Sequence, residues 1–192
     1  MRIAIFGGSF DPIHNGHAML ANYVSQYSGV DEVWLMPSPL NPLKCDVPPV
    51  DFIHRLEMCR IVAEKCCRVR VSDFERELTL PSYTYRTLCM LREAYPGNEF
   101  TLLIGSDNLA AFSRWRNPDE IISEFGLLVY PRPGYPVKEI HSPGIELIED
   151  APVADISSTF IRQALRNGKN LAYLLDNDVI RYIYSNSLYL NA

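Results

Sequence analysis

One stretch near the amino terminus constrains the fold of this chain more than any other feature. The stretch reads GGSFDPIHNGH over residues 7–17, follows the apolar run 3–6 and leads into an amphipathic pattern that begins at His17. This order predicts a strand that passes through a glycine turn directly into a helix. The glycines allow close approach of a ligand, and the free amides at the helix start favour an anion. We therefore expect the turn to bind nucleotide phosphates, with His14 and His17 reaching the same oxygens.

Short apolar runs alternate with longer amphipathic runs along the chain, which is typical of βα units around a parallel sheet. The order predicts an α/β fold, a Rossmann-like doubly wound parallel sheet with a helical C-terminal segment at about 157–192, in a single domain over 1–192. Ligands of such sheets bind beyond the carboxyl ends of the strands, where the strand order reverses. The predicted strands are 2–6, 32–36, 68–72, 100–104, 126–130 and 145–148, and the predicted helices before the C-terminal segment are 17–27, 51–65, 83–95 and 118–124.

The composition excludes several classes of function. The 192 residues are 47% hydrophobic with a formal net charge of -5, which is not the basic balance of a nucleic-acid-binding domain. No apolar stretch approaches the roughly 20 residues that cross a bilayer, and no secretory leader precedes the first strand. We expect a cytoplasmic protein with neither a nucleic-acid nor a membrane partner. The sequence is compatible with a homo-oligomer.

A second helix start, near the C-terminal end, has the same anion-binding character as the first. The segment DISSTFIR over 155–162 offers preferred helix caps in Ser157, Ser158 and Thr159. Arg162 lies one turn after Ser158, on the same side of the helix. Hydroxyls, free amides and a guanidinium together suit the outer phosphates of a triphosphate. The alternative is an ordinary capped helix whose arginine faces solvent.

These two helix starts are similar to the paired signatures of the nucleotidyltransferase superfamily with a His-x-Gly-His motif, which is HNGH at 14–17 here. Further motifs resemble one branch, the bacterial nicotinate mononucleotide adenylyltransferases, and occur in the expected order along nearly the whole chain. They are SYT at 82–84, IGSDNL at 104–109, Trp115, RPGY at 132–135 and VIRYI at 179–183.

The resemblance implies a Rossmann-like enzyme that joins ATP to nicotinate mononucleotide, giving deamido-NAD (nicotinate adenine dinucleotide) and pyrophosphate in NAD biosynthesis. The 5′-phosphate of the mononucleotide would attack the α-phosphorus of ATP in line, so the protein supplies alignment and charge stabilisation. His14 and His17 are implied to contact the ATP phosphates, with His17 near the α-phosphate. The residues implied to act in catalysis are His14, His17, Lys44 and Arg162.

The resemblance also implies which residues contact ATP. Asp107 follows the predicted strand 100–104, where a carboxylate can accept hydrogen bonds from ribose hydroxyls, and the family places this segment beside the adenosine. Asp107 is equally suited to capping a helix, and one carboxylate can do both. The implied ATP contacts are Gly7, Gly8, Ser9, Phe10, His14, His17, Gly105, Asp107, Ser157, Ser158, Thr159 and Arg162.

The acceptor is implied to contact Lys44, Thr84, Tyr85, Trp115 and Arg116. Trp115 has a flat face that can stack on a cationic pyridinium ring, although an isolated tryptophan is more often a core residue. The Thr84 hydroxyl and the backbone amides near Tyr85 and Arg116 can bind the pyridine carboxylate. Lys44 can meet the mononucleotide phosphate, with a solvated loop lysine as its alternative.

Departures from the family pattern cluster on this acceptor side. The segment ELTLP at 77–81 stands where an arginine and a glycine are common, and PLNPLK at 39–44 replaces the more familiar PPHK. Arg86 stands in place of an aspartate, and Arg116 in place of an aromatic residue. The sequence therefore defines the ATP side more closely than the acceptor side.

The histidine pair raises the question of a metal. A zinc site would need further ligands, and His54, His141 and the cysteines lie at no telling spacing from the pair. We predict no protein metal ligand and expect Mg²⁺ to be held by phosphate oxygens and water. The five cysteines contain no CxxC pair and an odd count, so we expect reduced thiols.

Three alternatives share the same phosphate-binding residues. The acceptor can be nicotinamide mononucleotide or phosphopantetheine, although the pantetheine branch is usually shorter and lacks the late Ser-Ser-Thr context together with Trp115. From another class, the chain can be a nucleotide-sensing module without catalysis. Such a sensor has less need of donors at both ends of a triphosphate.

Overall fold

The structure is a computed structural model that describes residues 1–39, 49–78, 82–137 and 142–190. Within these residues, six strands form one parallel sheet in the order β3-β2-β1-β4-β5-β6. The predicted doubly wound parallel sheet is confirmed, because the strand order reverses at β1. The strands are β1 (Arg2–Gly8), β2 (Glu32–Pro37), β3 (Val69–Val71), β4 (Glu99–Gly105), β5 (Leu127–Tyr130) and β6 (Ile145–Leu147).

The α-helices of the described residues include every predicted one and a short extra one, α4. Two 3₁₀ turns, Phe74–Glu77 and Phe112–Arg114, were also not predicted, because three to five residues are too few to show a helical period. The helices are α1 (Asn15–Tyr27), α2 (Phe52–Ala63), α3 (Thr84–Ala94), α4 (Ser106–Ala110), α5 (Pro118–Glu124), α6 (Ser158–Arg166) and α7 (Asn177–Ser185).

Each face of the sheet has its own hydrophobic core, and the side chains of β1 alternate between the two. Ala4 and Phe6 pack into one core with residues of α1, α2, α6 and α7. Ile3 and Ile5 pack into the other core with residues of α3 and α5. A strand covered on both faces is apolar at every position, which explains the unbroken apolar run at the start of the chain.

The C-terminal segment is helical as predicted and packs on the same face as α1 and α2. Ser157 caps α6, since its hydroxyl accepts a hydrogen bond from the Phe160 amide at 3.2 Å. Gly168 follows α6 with a φ of +61°, the left-handed conformation that commonly ends a helix. None of the described helices is both long enough and apolar enough to cross a membrane.

Candidate active site

A cavity of about 590 Å³ opens at the carboxyl ends of β1 and β4. This volume is in the range of pockets that enclose a small ligand, and such pockets are expected at the switch point of a doubly wound sheet. The wall brings predicted ATP residues and predicted acceptor residues into one space. The predicted residues on the wall are Gly7, Gly8, Ser9, Phe10, His17, Thr84, Gly105, Asp107, Trp115, Arg116 and Ser158.

The ring of Phe10 packs against the turn between β1 and α1. Phe10 is 2% exposed and has a φ of +44°, and its ring centroid lies 5.5 Å from that of Phe6 and 5.1 Å from that of His17. A β-carbon at Gly8 would stand 3.1 Å from the Phe10 ring, so a side chain there would require the ring to shift. The ring belongs to the core, which leaves the backbone of Phe10 for its predicted contact with ATP.

The two histidines stack on each other at the start of α1. Their ring centroids are 3.7 Å apart with 23° between the ring planes, and the His14 amide donates to His17 Nδ1 at 3.3 Å. A neutral imidazole that accepts at Nδ1 carries its proton on Nε2, so His17 Nε2 is a donor. Of the two histidines, His17 lines the main cavity, and His14 lines a small adjoining pocket.

His14 is a buried, neutral histidine with an unsatisfied nitrogen. Burial, followed by the positive charge of Arg132, lowers the pKa of His14 to about 4. The residue is 4% exposed, and its Nδ1 has no hydrogen-bond partner among the described residues. Such an atom costs roughly 1–3 kcal/mol. A hydrogen bond donated by Nδ1–H to a phosphate oxygen would remove that cost, which suits the predicted contact with ATP.

The start of α6 meets the β1–α1 turn, as the sequence predicted for a shared polyphosphate site. The Ser158 hydroxyl donates to the Pro12 carbonyl oxygen at 3.0 Å. Arg162 Nη1 donates to the Asp11 carbonyl oxygen at 2.7 Å, and Nη2 donates to Thr159 Oγ1 at 3.3 Å. The alternative of a solvent-facing arginine is therefore wrong, because the guanidinium joins the two helix starts.

Asp11 is a site residue that the sequence reasoning did not single out, although it lies inside the 7–17 motif. It is buried, and its Oδ1 accepts from the Tyr189 hydroxyl at 2.7 Å and from the Val50 amide at 3.2 Å. Its Oδ2 lies 3.6 Å from Arg162 Nη1. This carboxylate ties the turn to three distant parts of the chain, and local spacing contains no signal of that.

Asp107 faces the cavity but does not cap α4, so the capping alternative is wrong. The N-cap residue of α4 is Gly105, and Asp107 lies in the first turn. Asp107 Oδ1 is buried without a hydrogen-bond partner among the described residues, and it is 3.8 Å from Arg132 Nε. A β-carbon at Gly105 would clash with that oxygen and would stand 2.9 Å from Arg132 Cγ. An unpaired acceptor on the wall suits the predicted contact with a ribose hydroxyl.

The far end of the cavity is lined by aromatic and charged side chains. Trp115 is half-buried and packs on Phe112 with ring centroids 5.1 Å apart, so it contributes to both the core and the wall. The Arg116 guanidinium stacks 3.8 Å above the centre of the Tyr83 ring. The Thr84 side chain lies at the start of α3, beside Tyr83.

Tyr85 and Glu75 have contacts that the sequence did not predict, and of the two only Glu75 lines the cavity. The Tyr85 hydroxyl donates to Glu124 Oε1 at 2.8 Å, which leaves its backbone for the predicted contact with the acceptor. Glu75 lines the cavity and accepts from Thr87 Oγ1 at 2.9 Å, and burial raises the pKa of its carboxyl group. Lys44 lies outside the described residues.

The described part of the chain contains no group of three or more His, Cys, Asp or Glu side chains arranged to hold a metal ion. His54 is engaged elsewhere, with its Nδ1 2.9 Å from the Tyr182 hydroxyl. Cys45 and His141 lie outside the described residues, and the four described cysteines are free thiols.

A family model described as cytidylyltransferase-like matches residues 5–164. The chain belongs to the cytidylyltransferase-like family. Its relatives in that family include a Bacteroides fragilis protein named "Probable nicotinate-nucleotide adenylyltransferase", which is 47% identical over 184 residues, or 95% of this chain and 90% of that protein. A Flavobacterium johnsoniae protein of the same name is 38% identical over 192 residues, or 98% of this chain and 99% of that protein.

A solved structure shares the cytidylyltransferase-like fold described above. Plasmodium falciparum nicotinic acid mononucleotide adenylyltransferase in complex with NaAD has a TM-score of 0.83 and 24% identity, and the match covers 98% of this chain and 97% of that chain. The resemblance to the bacterial nicotinate mononucleotide adenylyltransferases is confirmed by the curated relatives, and the chain is a nucleotidyltransferase.

Proposed function

We propose that this chain transfers the adenylyl group of ATP to nicotinate mononucleotide, forming nicotinate adenine dinucleotide and releasing pyrophosphate. The observation that carries the proposal is the meeting of two helix starts, those of α1 and α6, at one cavity. Ser158 and Arg162 join them through hydrogen bonds to the turn at 3.0 and 2.7 Å. Amides at two helix starts suit the two ends of a polyphosphate. The names of the curated relatives support nicotinate mononucleotide as the acceptor.

In the proposed reaction the protein aligns two bound substrates and is never itself modified. An oxygen of the acceptor 5′-phosphate attacks the α-phosphorus of ATP, and the bond to the pyrophosphate oxygen breaks on the opposite side. His17 Nε2 donates to the α-phosphate as negative charge develops there. The hydroxyl of Ser158 and the amides at the start of α6 hold the outer phosphates, which leave as pyrophosphate.

Arg162 contributes positive charge to the same end of the proposed site. Its guanidinium has five N–H donors, and the two contacts to Asp11 and Thr159 leave others for phosphate oxygens. Because those two contacts already orient the guanidinium, less rotamer entropy is lost when ATP binds. His14, neutral and buried behind His17, adds hydrogen bonding without adding charge.

We also propose that Mg²⁺ reaches the site on ATP and that the enzyme works in the cytoplasm. The ion prefers oxygen ligands and retains several waters, so phosphate oxygens satisfy it without a protein cage. Bound Mg²⁺ would neutralise part of the phosphate charge. The described residues supply no carboxylate cluster for it, and we assign it no protein ligand.

Pyrophosphate release by the purified full chain tests the proposal. ATP and MgCl₂ are supplied with nicotinate mononucleotide, nicotinamide mononucleotide, phosphopantetheine or no acceptor, and the dinucleotide product is identified by mass. We expect the fastest release with nicotinate mononucleotide. Faster release with either other acceptor would overturn the acceptor assignment. Binding of ATP by calorimetry without turnover on any acceptor would favour the sensing module.

A further inference from the structure

Arg55 is a fully buried arginine on a helix that otherwise buries apolar side chains. It is 1% exposed and lies on α2 beside Leu56, Met58 and Cys59, which are also buried. Taking a guanidinium out of water is strongly unfavourable unless its donors are hydrogen-bonded. The burial of Arg55 is therefore explained by the hydrogen-bond partners of its side chain.

The partners of Arg55 are four backbone carbonyl oxygens from three segments of the chain. Nη1 donates to Ser9 at 2.7 Å and to Ser38 at 2.8 Å. Nη2 donates to Pro39 at 3.3 Å, and Nε donates to Val50 at 2.8 Å. Burial lowers the pKa of the guanidinium, and the negative charge of Asp11 opposes that change. One side chain thus joins the β1–α1 turn, the residues after β2 and the residues before α2.

Arg55 makes its hydrogen bonds just beyond the last paired residues of β1 and β2. The paired register of β1 and β2 ends at Gly8 opposite Pro37. The next residues, Ser9 and Ser38, both line the cavity, and the Ser38 amide still donates to the Gly8 carbonyl oxygen at 2.9 Å. Beyond that bond, Arg55 Nη1 donates to the carbonyl oxygens of both Ser9 and Ser38 and so holds them close together. The guanidinium therefore fixes the spacing of the two segments for one residue beyond the end of the paired strands.

We propose that Arg55 is a positioning residue. It sets the distance between the β1–α1 turn and the residues that follow β2, and it touches neither substrate. The inference rests on the proposed function, because the quantity it controls is the alignment of two reactants. Small misplacements of aligned reactants cost about 10²-fold in rate. A change at Arg55 should therefore lower turnover even when the protein remains folded and both substrates are saturating.

Arg55→Lys and Arg55→Gln test this proposal, with Met58→Ala as the matched control. Lysine keeps the charge but has no planar fork, and glutamine keeps two N–H donors without the charge. Neither can hold four carbonyls in the present geometry. Met58 is buried on the same helix, packs in the core and does not line the cavity, so its truncation lowers stability without removing a hydrogen bond to the cavity wall.

We expect kcat to fall about 10- to 100-fold in both Arg55 variants and to stay within about 3-fold of wild type in Met58→Ala. The variants are assayed at a temperature where circular dichroism shows each of them folded. A kcat near that of wild type in either folded Arg55 variant, or an equal loss in Met58→Ala, would overturn the inference. An active wild type distinguishes that failure from failure of the proposed function, since an inactive wild type would overturn both.

Discussion

The two ends of the cavity are built in different ways. At the phosphate end, groups of the turn, of the residues before α2 and of the C-terminal segment hold one another: Asp11 accepts from Tyr189 and Val50, and Arg162 donates to the Asp11 carbonyl oxygen. At the acceptor end, the half-buried Trp115 and the exposed Arg116 offer side-chain surface. The residues at the phosphate end are tied together by hydrogen bonds between distant segments, whereas Trp115 and Arg116 make local contacts with Phe112 and Tyr83.

This difference separates two kinds of substitution. A change at the phosphate end should affect turnover with every acceptor, because ATP is common to all the candidate reactions. A change at the acceptor end should affect the KM of one substrate and leave the other unaltered. Of the departures from the family pattern, Arg86 and Arg116 are among the described residues, and both are exposed, so they can vary without disturbing a buried network.

The largest expected effect is at His17. His17→Ala removes the donor that we propose contacts the α-phosphate, and we expect kcat to fall about 10²- to 10³-fold with little loss of folded structure. Pyrophosphate release at saturating substrates and thermal denaturation measure the two quantities. His54→Ala is the matched control, since His54 pairs with Tyr182 away from the cavity. Turnover near that of wild type in His17→Ala would refute the role of His17.

The next effect concerns stability and comes from His14. Its pKa of about 4 in the folded protein lies below the ordinary value of 6.5, so the unfolded chain takes up the proton first as the pH falls. Stability is therefore complete above pH 6.5 and declines towards pH 4. We expect a loss of about 2 kcal/mol from pH 7 to pH 5 that is missing in His14→Gln. Denaturant unfolding at both pH values tests this, and parallel losses in the two proteins would contradict it.

A smaller effect is expected at the acceptor end. Trp115→Ala removes the flat face proposed to stack on the pyridinium ring, so the KM for nicotinate mononucleotide should rise about 10-fold while the KM for ATP stays unchanged. Trp115→Phe keeps an aromatic face and should retain most of the affinity. Equal rises in both KM values would instead indicate a general loss of packing, since Trp115 also contacts Phe112.

The smallest effect is expected at the cap of α6. Ser157→Ala removes the hydrogen bond to the Phe160 amide and should lower the free energy of unfolding by about 1 kcal/mol. Ser157→Asn keeps a capping oxygen and should restore most of that loss. Denaturant titration compares the three proteins, and equal stability of Ser157→Ala and wild type would show that the cap contributes nothing.

Elements with a strong local pattern were predictable from the sequence. The strand β1 followed from its apolar run, and the start of α6 followed from its run of hydroxyl residues. The short helix α4 was not predictable, because five residues show no period, and the alternative that Asp107 caps a helix is wrong because Gly105 holds that position. Local sequence patterns therefore predicted which segments line the cavity better than they predicted the role of each side chain there.

Contacts between residues that are far apart in the sequence could not be predicted from local patterns. Asp11 and Tyr189 are 178 residues apart, and no spacing in either segment relates the two. Arg55 lies in a helix whose polar and apolar residues suggested an ordinary amphipathic face, while its actual partners are carbonyl oxygens of three other segments. The sequence thus predicted many of the residues that line the cavity and missed most of those that hold them in place.

The hydrogen bond from Tyr189 to Asp11 has a consequence for the newborn chain. Translation reaches Tyr189 only 178 residues after Asp11, so the β1–α1 turn lacks this partner throughout that interval. Until that hydrogen bond can form, the Asp11 carboxylate of a nascent chain is without one of the groups that hold the turn to the rest of the fold.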